Sequence, residues 1–560
     1  MVSARPSYVS GSADSPLLGE TIGTCLDRIA RDHADGDAVV SRHQNIRWTW
    51  REVRERAERV ACGLLRLGLN PGDRIGIWAP NCAEWMLMQL GAATAGLILV
   101  TINPAYRRSE LDYALNKVGC TALVLAPSFK SSDYLAILRD IAPELAQCAP
   151  GDLRSARLPQ LRTVVRLGED VSPGLFNFDA LLAAPDAAER ARLDAVGAAL
   201  SFDDPVNIQF TSGTTGAPKG ATLTHHNILN NGFFAGEAIG LGARDRLCIP
   251  IPLYHCFAMV ACNLAGLTHG ATLVYPSDGF DPQRVLEAIH AERCTVLYGV
   301  PTMFIAELSH PQFARYDLSS LRTGVMGGSP CPVEVVHQVI ERMHLPAMTV
   351  GYGMTETSPV SFQGRHTDPL ERRVASVGRI HPYVEAKIID ANGRIVARGQ
   401  PGELCVRGYS VMRGYWEDAQ KTAEVIDAAG WMHTGDLAVI DEEGWCDIVG
   451  RSKDVVIRGG ENIYPREVEE FLHRHPSIQD VQCVGVPDRK FGEELCACII
   501  ARPGATIAEA DLRAFCEGEI AHYKVPRYFC FVESFPMTVT GKIQKFVLRD
   551  EMARRLGLMT

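Results

Sequence analysis

No C-x-x-C pair occurs among the seventeen cysteines of this 560-residue chain, and the closest two are Cys496 and Cys498. That scatter argues against a disulfide framework and against a zinc site. Most of these cysteines are expected to be small buried hydrophobes in a reducing compartment. Basic charge is not in excess either. With 56 Lys and Arg against 66 Asp and Glu, the net charge is −10, so the electrostatic footprint of a nucleic-acid binder is missing. No long apolar run is present. The most apolar stretch, Trp85 to Ile102, is interrupted by Gln89 and two threonines and broken by Gly91 and Gly96, which predicts a helix then a strand rather than an integral membrane segment. The opening MVSARPSYVSGSADSP has one arginine and no apolar core, so no signal peptide is read and a cytoplasmic location is expected. Repeats and low-complexity segments are lacking.

What is present is an ordinary globular composition, 46% hydrophobic and 22% charged, in a chain long enough for three or four units of about 150 residues. Its first part alternates two periods. Arg54 to Leu69 carries Ala57, Val60, Ala61, Leu64 and Leu65 at helical spacing, and RIGIWAP (74–80) reads as a short buried strand. Glu84–Ala95 and Ser109–Lys117 read as helices, LILVTINP (97–104) and ALVLAP (122–127) as strands. The rhythm returns at ATLVY (271–275), Pro282–Arg293 and TVLYGVP (295–301). Such alternation predicts an α/β fold of doubly wound, largely parallel sheets, where ligands sit beyond the carboxyl ends of strands. Residues 150–204 are rich in Ala and Asp and read as surface helix and connection. After about 375 the texture changes to short strands with turns such as ANGR, DAAGW and EEGW. From about 455 a last unit follows: VVIR, a helix opening on Pro465 with Val468, Phe471 and Leu472 inward, strands near 480–486 and 495–501, and a helix from 508.

The strand PVNIQF (205–210) feeds the stretch TSGTTGAPKG (211–220). Gly213 and Gly216 let backbone N–H groups turn inward toward an anion. Thr211, Ser212, Thr214 and Thr215 add hydroxyls, and Lys219 adds a positive charge. A polyphosphate is the natural guest. The spacing is not that of G-x-x-x-x-G-K-[ST]: Gly220 stands where Ser or Thr should follow the lysine.

Together with GYGMTET (351–357), HTGDL (433–437), GRSKDVVIRGGENIYPREVE (450–469) and PMTVTGKIQK (536–545), this loop resembles the ordered motifs of the adenylate-forming enzymes: acyl-CoA synthetases, peptide-synthetase adenylation domains and luciferases. The similarity covers nearly the whole chain. It implies a large N-terminal domain (1–450) of doubly wound sheets plus a small β-barrel (about 375–450), a hinge at 451–454, and a small mobile α+β C-terminal domain (455–560). The activity implied is condensation of a carboxylate with ATP to an acyl-adenylate, then transfer to a thiol.

The resemblance also assigns roles. Residues Thr211 to Lys219 hold the β- and γ-phosphates. Thr355 binds the α-phosphate and Glu356 holds Mg²⁺, a cation that favours oxygen ligands. Tyr352 stacks on adenine. Asp436 accepts from both ribose hydroxyls, a fork suited to a diol, and Arg451 contacts ribose and phosphate. Lys542 bridges the attacking carboxylate and the α-phosphate. Lys453 is the hinge residue, about which the C-terminal domain rotates to present Gly459, Gly460 and Glu461 to the pantetheine arm of coenzyme A.

For the acid, PLYHCFAM (252–259) resembles a pocket wall with His255 near the carboxylate, and VMGGSPCP (325–332), with Gly328, resembles another. No Asp is present in PLYHCFAM to pair an amine, which disfavours an amino acid. Gly353 stands where acetate-specific relatives carry Trp and leaves room for a longer chain. LYHCF, GGSPCP and GGENIYPREVEEFL resemble the medium-chain fatty acyl-CoA synthetases most. Branched or aryl acids, and a ligase loading a separate carrier protein, are the alternatives. A monomer or homodimer working on acid, ATP and CoA is expected.

Overall fold

A computed structural model describes residues 5–211, 218–459 and 461–558. Two large sheets form its body. In the first, Phe176–Asn177, Thr163–Arg166, Ala122–Leu125, Arg74–Trp78, Ile98–Thr101 and Pro205–Thr211 run parallel, and Lys219–Thr224 and Gly414–Tyr415 close the edge antiparallel. The second has a parallel centre from Asp37–Ser41 through Thr272–Tyr275, Arg246–Cys248, Val296–Gly299 and Thr323–Gly327 to Ala347–Gly353, with antiparallel strands at both edges. The central strands are buried on both faces, as in Ile98–Thr101 and Val296–Gly299. That is why they read as continuous apolar runs rather than alternating ones. The stretch Trp85–Ile102 splits as expected into the helix Ala83–Thr94 and the strand Ile98–Thr101. No helix among the described residues is long and apolar enough to cross a membrane.

One element differs from the sequence reading. Thr163–Arg166, inside the segment read as surface connection, is a buried strand paired parallel to Ala122–Leu125. Four residues buried on both faces show no alternation to detect. The β-rich unit expected as a small barrel is a five-stranded antiparallel sheet of Tyr8–Ser10, Val384–Ile389, Gly402–Gly408, Met432–Ile440 and Cys446–Arg451. Tyr8–Ser10 and Cys446–Arg451 are its two edges and do not pair with each other. Its turns carry Gly393, Gly430 and Gly444 at φ +75°, +79° and +90°, conformations that cost glycine little.

The C-terminal sheet joins Val456–Arg458, Glu461–Ile463, Ile478–Asp488, Gly492–Ala501 and Tyr528–Phe531. Strand alternation divides its core in two. Leu495, Ala497 and Ile499 pack with Val468 and Leu472 of the helix Pro465–Leu472 and Leu512 of Glu509–Cys516. Cys496 and Cys498 pack on the other face with Leu548 and Met552 of Lys545–Arg555. All seventeen cysteines are free, and all but Cys148 are buried.

Candidate active site

The carboxyl ends of three strands converge with a turn from the C-terminal unit. The strand Pro205–Thr211 and its antiparallel partner Lys219–Thr224 form a hairpin, not a strand-to-helix turn. This accords with the failure of the P-loop spacing. Ser212, Gly213, Thr214, Thr215 and Gly216 lie outside the described residues, as does Gly460. Of the hairpin's ends, Thr211 sits opposite Lys219 in register, and the Lys219 ammonium lies 4.4 Å from the centre of the Tyr415 ring.

The strand Ala347–Gly353 delivers Tyr352, then a short 3₁₀ turn, Thr355–Thr357, delivers Thr355 and Glu356. Glu356 is buried, and its Oε1 accepts from the Tyr415 hydroxyl at 2.9 Å. The backbone also fixes it, since the Met412 N–H donates to its carbonyl at 2.8 Å. The Thr355 hydroxyl lies 3.4 Å from Cys256 Sγ. Tyr352 donates to Asp436 Oδ2 at 2.7 Å, and burial together with the Asp436 charge pushes its hydroxyl well above the usual range. Asp436 and Arg451 are cross-strand partners in the β-rich sheet, and Arg451 Nε reaches Asp436 Oδ1 at 3.2 Å. Strand register therefore places this carboxylate and guanidinium together although fourteen residues separate them in sequence.

Lys542 arrives on a tight hairpin. Met537 and Ile543 bridge, the Thr538 N–H donates to the Lys542 carbonyl at 2.8 Å, and Gly541 sits at φ +77°. A Cβ on Gly541 would come within 2.9 Å of both Thr302 Oγ1 and Val300 Cγ2. Glycine is thus needed for this turn to press on the large domain, where Thr302 Oγ1 donates to the Gly541 carbonyl at 3.2 Å. Gly328, at φ +85°, faces the lysine stem: a Cβ there would lie 3.7 Å from Lys542 Cε and 3.3 Å from Val300 Cγ1. Desolvation, then the neighbouring Arg451 charge, lowers the ammonium's pKa. The same ammonium, after burial, helps hold His255 neutral, with its pKa pushed down to about 3. His255 caps the short helix Cys256–Ala258 by accepting from the Phe257 N–H at 3.2 Å.

The remaining candidates are placed or constrained differently. Lys453, in the turn Ser452–Asp454, stays beside the site: after partial desolvation, the Arg451 charge lowers its pKa, and Asp436 and Lys219 are near enough to act on it too. Gly459, at φ +58°, donates its N–H to the Phe491 carbonyl at 2.8 Å, and Glu461 is exposed beside it, paired with Arg458. The contacts of Gly459 and Glu461 are with Phe491 and Arg458 of the same unit, and none of these is with Lys542. A Cβ on Gly353 would lie 1.7 Å from the Pro359 carbonyl oxygen, because the pairing register shifts between Tyr352 and Gly353. Backbone approach demands glycine there irrespective of any acid. Tyr415 and Cys256 are the residues that sequence reasoning missed. Cys256 stood inside PLYHCFAM, but nothing in Tyr415's own surroundings announces a partner 59 positions away.

The class this arrangement defines is a two-domain enzyme whose small C-terminal unit presses a lysine-bearing turn against the large one. Comparison with known proteins agrees. The AMP-binding enzyme profile matches residues 26–416, and that of the AMP-binding enzyme C-terminal domain matches 467–542. The chain belongs to the AMP-binding enzyme family. It is 48% identical over 558 residues to the rat (Rattus norvegicus) mitochondrial medium-chain acyl-CoA ligase ACSF2, covering 99% of this chain and 91% of that protein. It is 46% identical over 543 residues to YngI of Bacillus subtilis, whose name carries acyl-CoA synthetase as a provisional assignment, covering 97% and 99%. Among solved structures it resembles the anthranilate CoA ligase AuaEII in complex with anthranoyl-AMP (TM-score 0.85, 27% identity, 98% of this chain and 99% of that one). It also resembles ATP-bound MatB from Rhodopseudomonas palustris (TM-score 0.80, 28% identity, 96% and 100%).

Proposed function

We propose that the protein is an AMP-forming acyl-CoA synthetase acting on medium-chain fatty acids. The observation that carries this reading is the entry of Lys542, from the C-terminal unit, into a site built by the large one beside Gly328 and His255. In the first step a carboxylate oxygen bonds to the α-phosphorus of ATP, the bond to the bridging oxygen breaks, and pyrophosphate leaves. An anion must attack an anion, so fixed positive charge and N–H donors lower the barrier. Lys542 bridges the two oxygens, Thr355 contacts the α-phosphate, and Lys219 and its loop hold the outgoing phosphates. Asp436 grips the ribose, its carboxylate oriented by Tyr352 and Arg451.

Glu356 suits Mg²⁺. Its carboxylate is buried, and Tyr415 engages Oε1, leaving Oε2 as a hard oxygen donor. The ion would supply charge neutralisation at the phosphates. His255 is held neutral and so adds no charge next to the acid.

In the second step the thiol sulfur of coenzyme A bonds to the acyl carbon, the carbon–oxygen bond to AMP breaks, and the thiol proton passes to solvent. Residues 451–454 serve as the hinge between 1–450 and 455–560, and turning about Lys453 brings Gly459, Gly460 and Glu461 to the pantetheine arm. The 48% identical relative named for medium-chain acids supports the chain length. Each buried CH₂ contributes about 0.8 kcal/mol, so a fitting tunnel selects length. The likeness to a ligase solved with anthranoyl-AMP keeps aryl acids in the test panel. We assign the protein to the cytoplasm; "mitochondrial" belongs to the rat relative's name.

The test has two arms. Acids of two to sixteen carbons, with branched and aryl forms, are assayed with ATP, Mg²⁺ and CoA; a maximum at medium straight chains is expected, and an aryl maximum refutes the substrate. Lys542→Ala is expected to abolish acid-dependent ATP–pyrophosphate exchange yet retain thioester formation from supplied acyl-AMP. Equal losses in both refute the role of Lys542. Activity with a carrier protein but not CoA overturns the acceptor.

A further inference from the structure

Spacing along the chain argued against zinc, but strand register assembles a ligand set that spacing cannot display. Glu403 and Cys405 lie two apart on the strand Gly402–Gly408 and so share a face. His433, on Met432–Ile440, stands directly opposite Cys405. Among the described residues, this is the one group of three such side chains whose ligand atoms lie within 4.8 Å of one another.

The separations fit a metal. Cys405 Sγ is 3.6 Å from His433 Nδ1, and Glu403 Oε2 is 3.2 Å from the same nitrogen. Ligand atoms about 2.3 Å (sulfur) and 2.0–2.1 Å (nitrogen, oxygen) from a tetrahedral Zn²⁺ lie about 3.3–3.6 Å apart. The surroundings fit as well. Asp427 Oδ1 is fixed by the N–H groups of Ala429 and Trp431, both at 2.9 Å, and Oδ2 faces His433 Nε2 at 4.0 Å. At 4.0 Å this is beyond hydrogen-bond reach, and without metal Nδ1 donates to Glu403 Oε2 instead; a cation displacing the Nδ1 proton would leave the Nε2 proton on the Asp427 side. Glu403 Oε1 is engaged separately, accepting the Gly435 N–H at 3.3 Å, so Oε2 can ligate without releasing the turn before Asp436. The His433 and Glu403 side chains are about one-third exposed, at 33% and 30%, which leaves a fourth position for water.

We propose that Glu403, Cys405 and His433 form a binding site for Zn²⁺ or a cation of similar softness, in the β-rich sheet and separate from the nucleotide site. On binding, the Cys405 S–H bond breaks, its proton passes to solvent, and a sulfur–metal bond forms. Burial, and then the Glu403 charge, pushes this thiol up to about 12 without metal, while the nearby Lys387 pulls the other way. A coordinating cation deprotonates a thiol outright. Mg²⁺, which prefers oxygen donors, does not compete for a thiolate and an imidazole.

The experiment titrates the full-length, metal-stripped protein with Co²⁺, which reports a thiolate ligand by a near-ultraviolet charge-transfer band. The band is expected to saturate at one Co²⁺ per chain, to disappear when Zn²⁺ is added, and to be lost in both Cys405→Ser and His433→Gln. Zn²⁺ is expected to raise the melting temperature of the wild type but of neither variant. Absence of the band at millimolar Co²⁺ overturns the proposal, as does its full retention in Cys405→Ser. Should Cys405→Ser fail to fold, His433→Gln decides the matter: an unchanged band there refutes the site.

Discussion

Replacing Tyr415 by Phe tests whether the Glu356 carboxylate is held ready by the hydroxyl 2.9 Å away. The substitution keeps the ring, and with it the Lys219 contact at 4.4 Å. It removes one hydrogen bond to a charged group whose residue is 6% exposed. Such a bond contributes about 1.5–3 kcal/mol. Water reaches a buried carboxylate poorly, so little of that is recovered. If the carboxylate is productive only in this pose, the first step slows roughly tenfold to 100-fold, since about 1.4 kcal/mol is a factor of ten. Acid-dependent ATP–pyrophosphate exchange, measured across Mg²⁺ concentrations, is the assay. The loss should shrink as Mg²⁺ rises, because the cation restores an ordered partner for Glu356. Tyr415→Leu should lose more, having no ring for Lys219. Wild-type exchange in Tyr415→Phe at limiting Mg²⁺ would refute the reasoning.

Gly328→Ala places a Cβ at φ +85° and 3.3 Å from Val300, costing about 1–2 kcal/mol in backbone strain. It should slow pyrophosphate exchange more than thioester formation from supplied acyl-AMP, read in separate half-reactions. Glu469→Gln removes the negative charge facing Lys545, whose Nζ lies 2.5 Å from the carboxylate. Leaving that half-buried ammonium without its counter-charge, with the Cys483 carbonyl at 3.3 Å as its other partner, should destabilise the C-terminal unit by about 1–3 kcal/mol, seen as faster amide exchange over Ile478–Asp488 with the large sheets unchanged. His381, fully enclosed, has its pKa pushed down to about 3 by burial and then by Arg365. The folded state therefore binds fewer protons than the unfolded chain below pH 6.5. Stability from this group is complete above that pH and is lost as pH falls toward 3. By pH 5 the loss is about 2 kcal/mol. His381→Gln should flatten the acid limb of a denaturation-midpoint profile by that amount.

The residues legible in the sequence are those whose neighbours in the chain are also their neighbours in space. The loop at 211–220, Thr355 with Glu356, and the T-G-K turn of Lys542 each carry their own local signature. Their convergence was not derivable from spacing; it came with the family resemblance. Long-range partners stayed hidden. Tyr415 reaches Glu356 because Gly414–Tyr415 is an edge strand of the first large sheet, a pairing no local pattern announces. Thr163–Arg166 was missed because a strand buried on both faces loses its period, and the grouping of Glu403, Cys405 and His433 because it rests on register. The turn glycines were visible, but the demand at Gly353 was not, since the carbonyl it avoids belongs to Pro359.

Lys542 is carried in by a hairpin that Thr302 holds through the Gly541 carbonyl, and elsewhere the helix Pro465–Leu472 meets the body through the Val333 N–H to Glu470 at 3.2 Å and Arg466 to the Ile448 carbonyl. So slight a fastening has a kinetic corollary. On the proposed two-step reading this fastening is a lid cheap to lift, and a catalyst that unseats its own lysine every cycle would gain by gripping loosely. On the same reading, tightening that fastening, for instance with a cross-link between positions 302 and 541, would leave the protein sturdier and trapped after a single round.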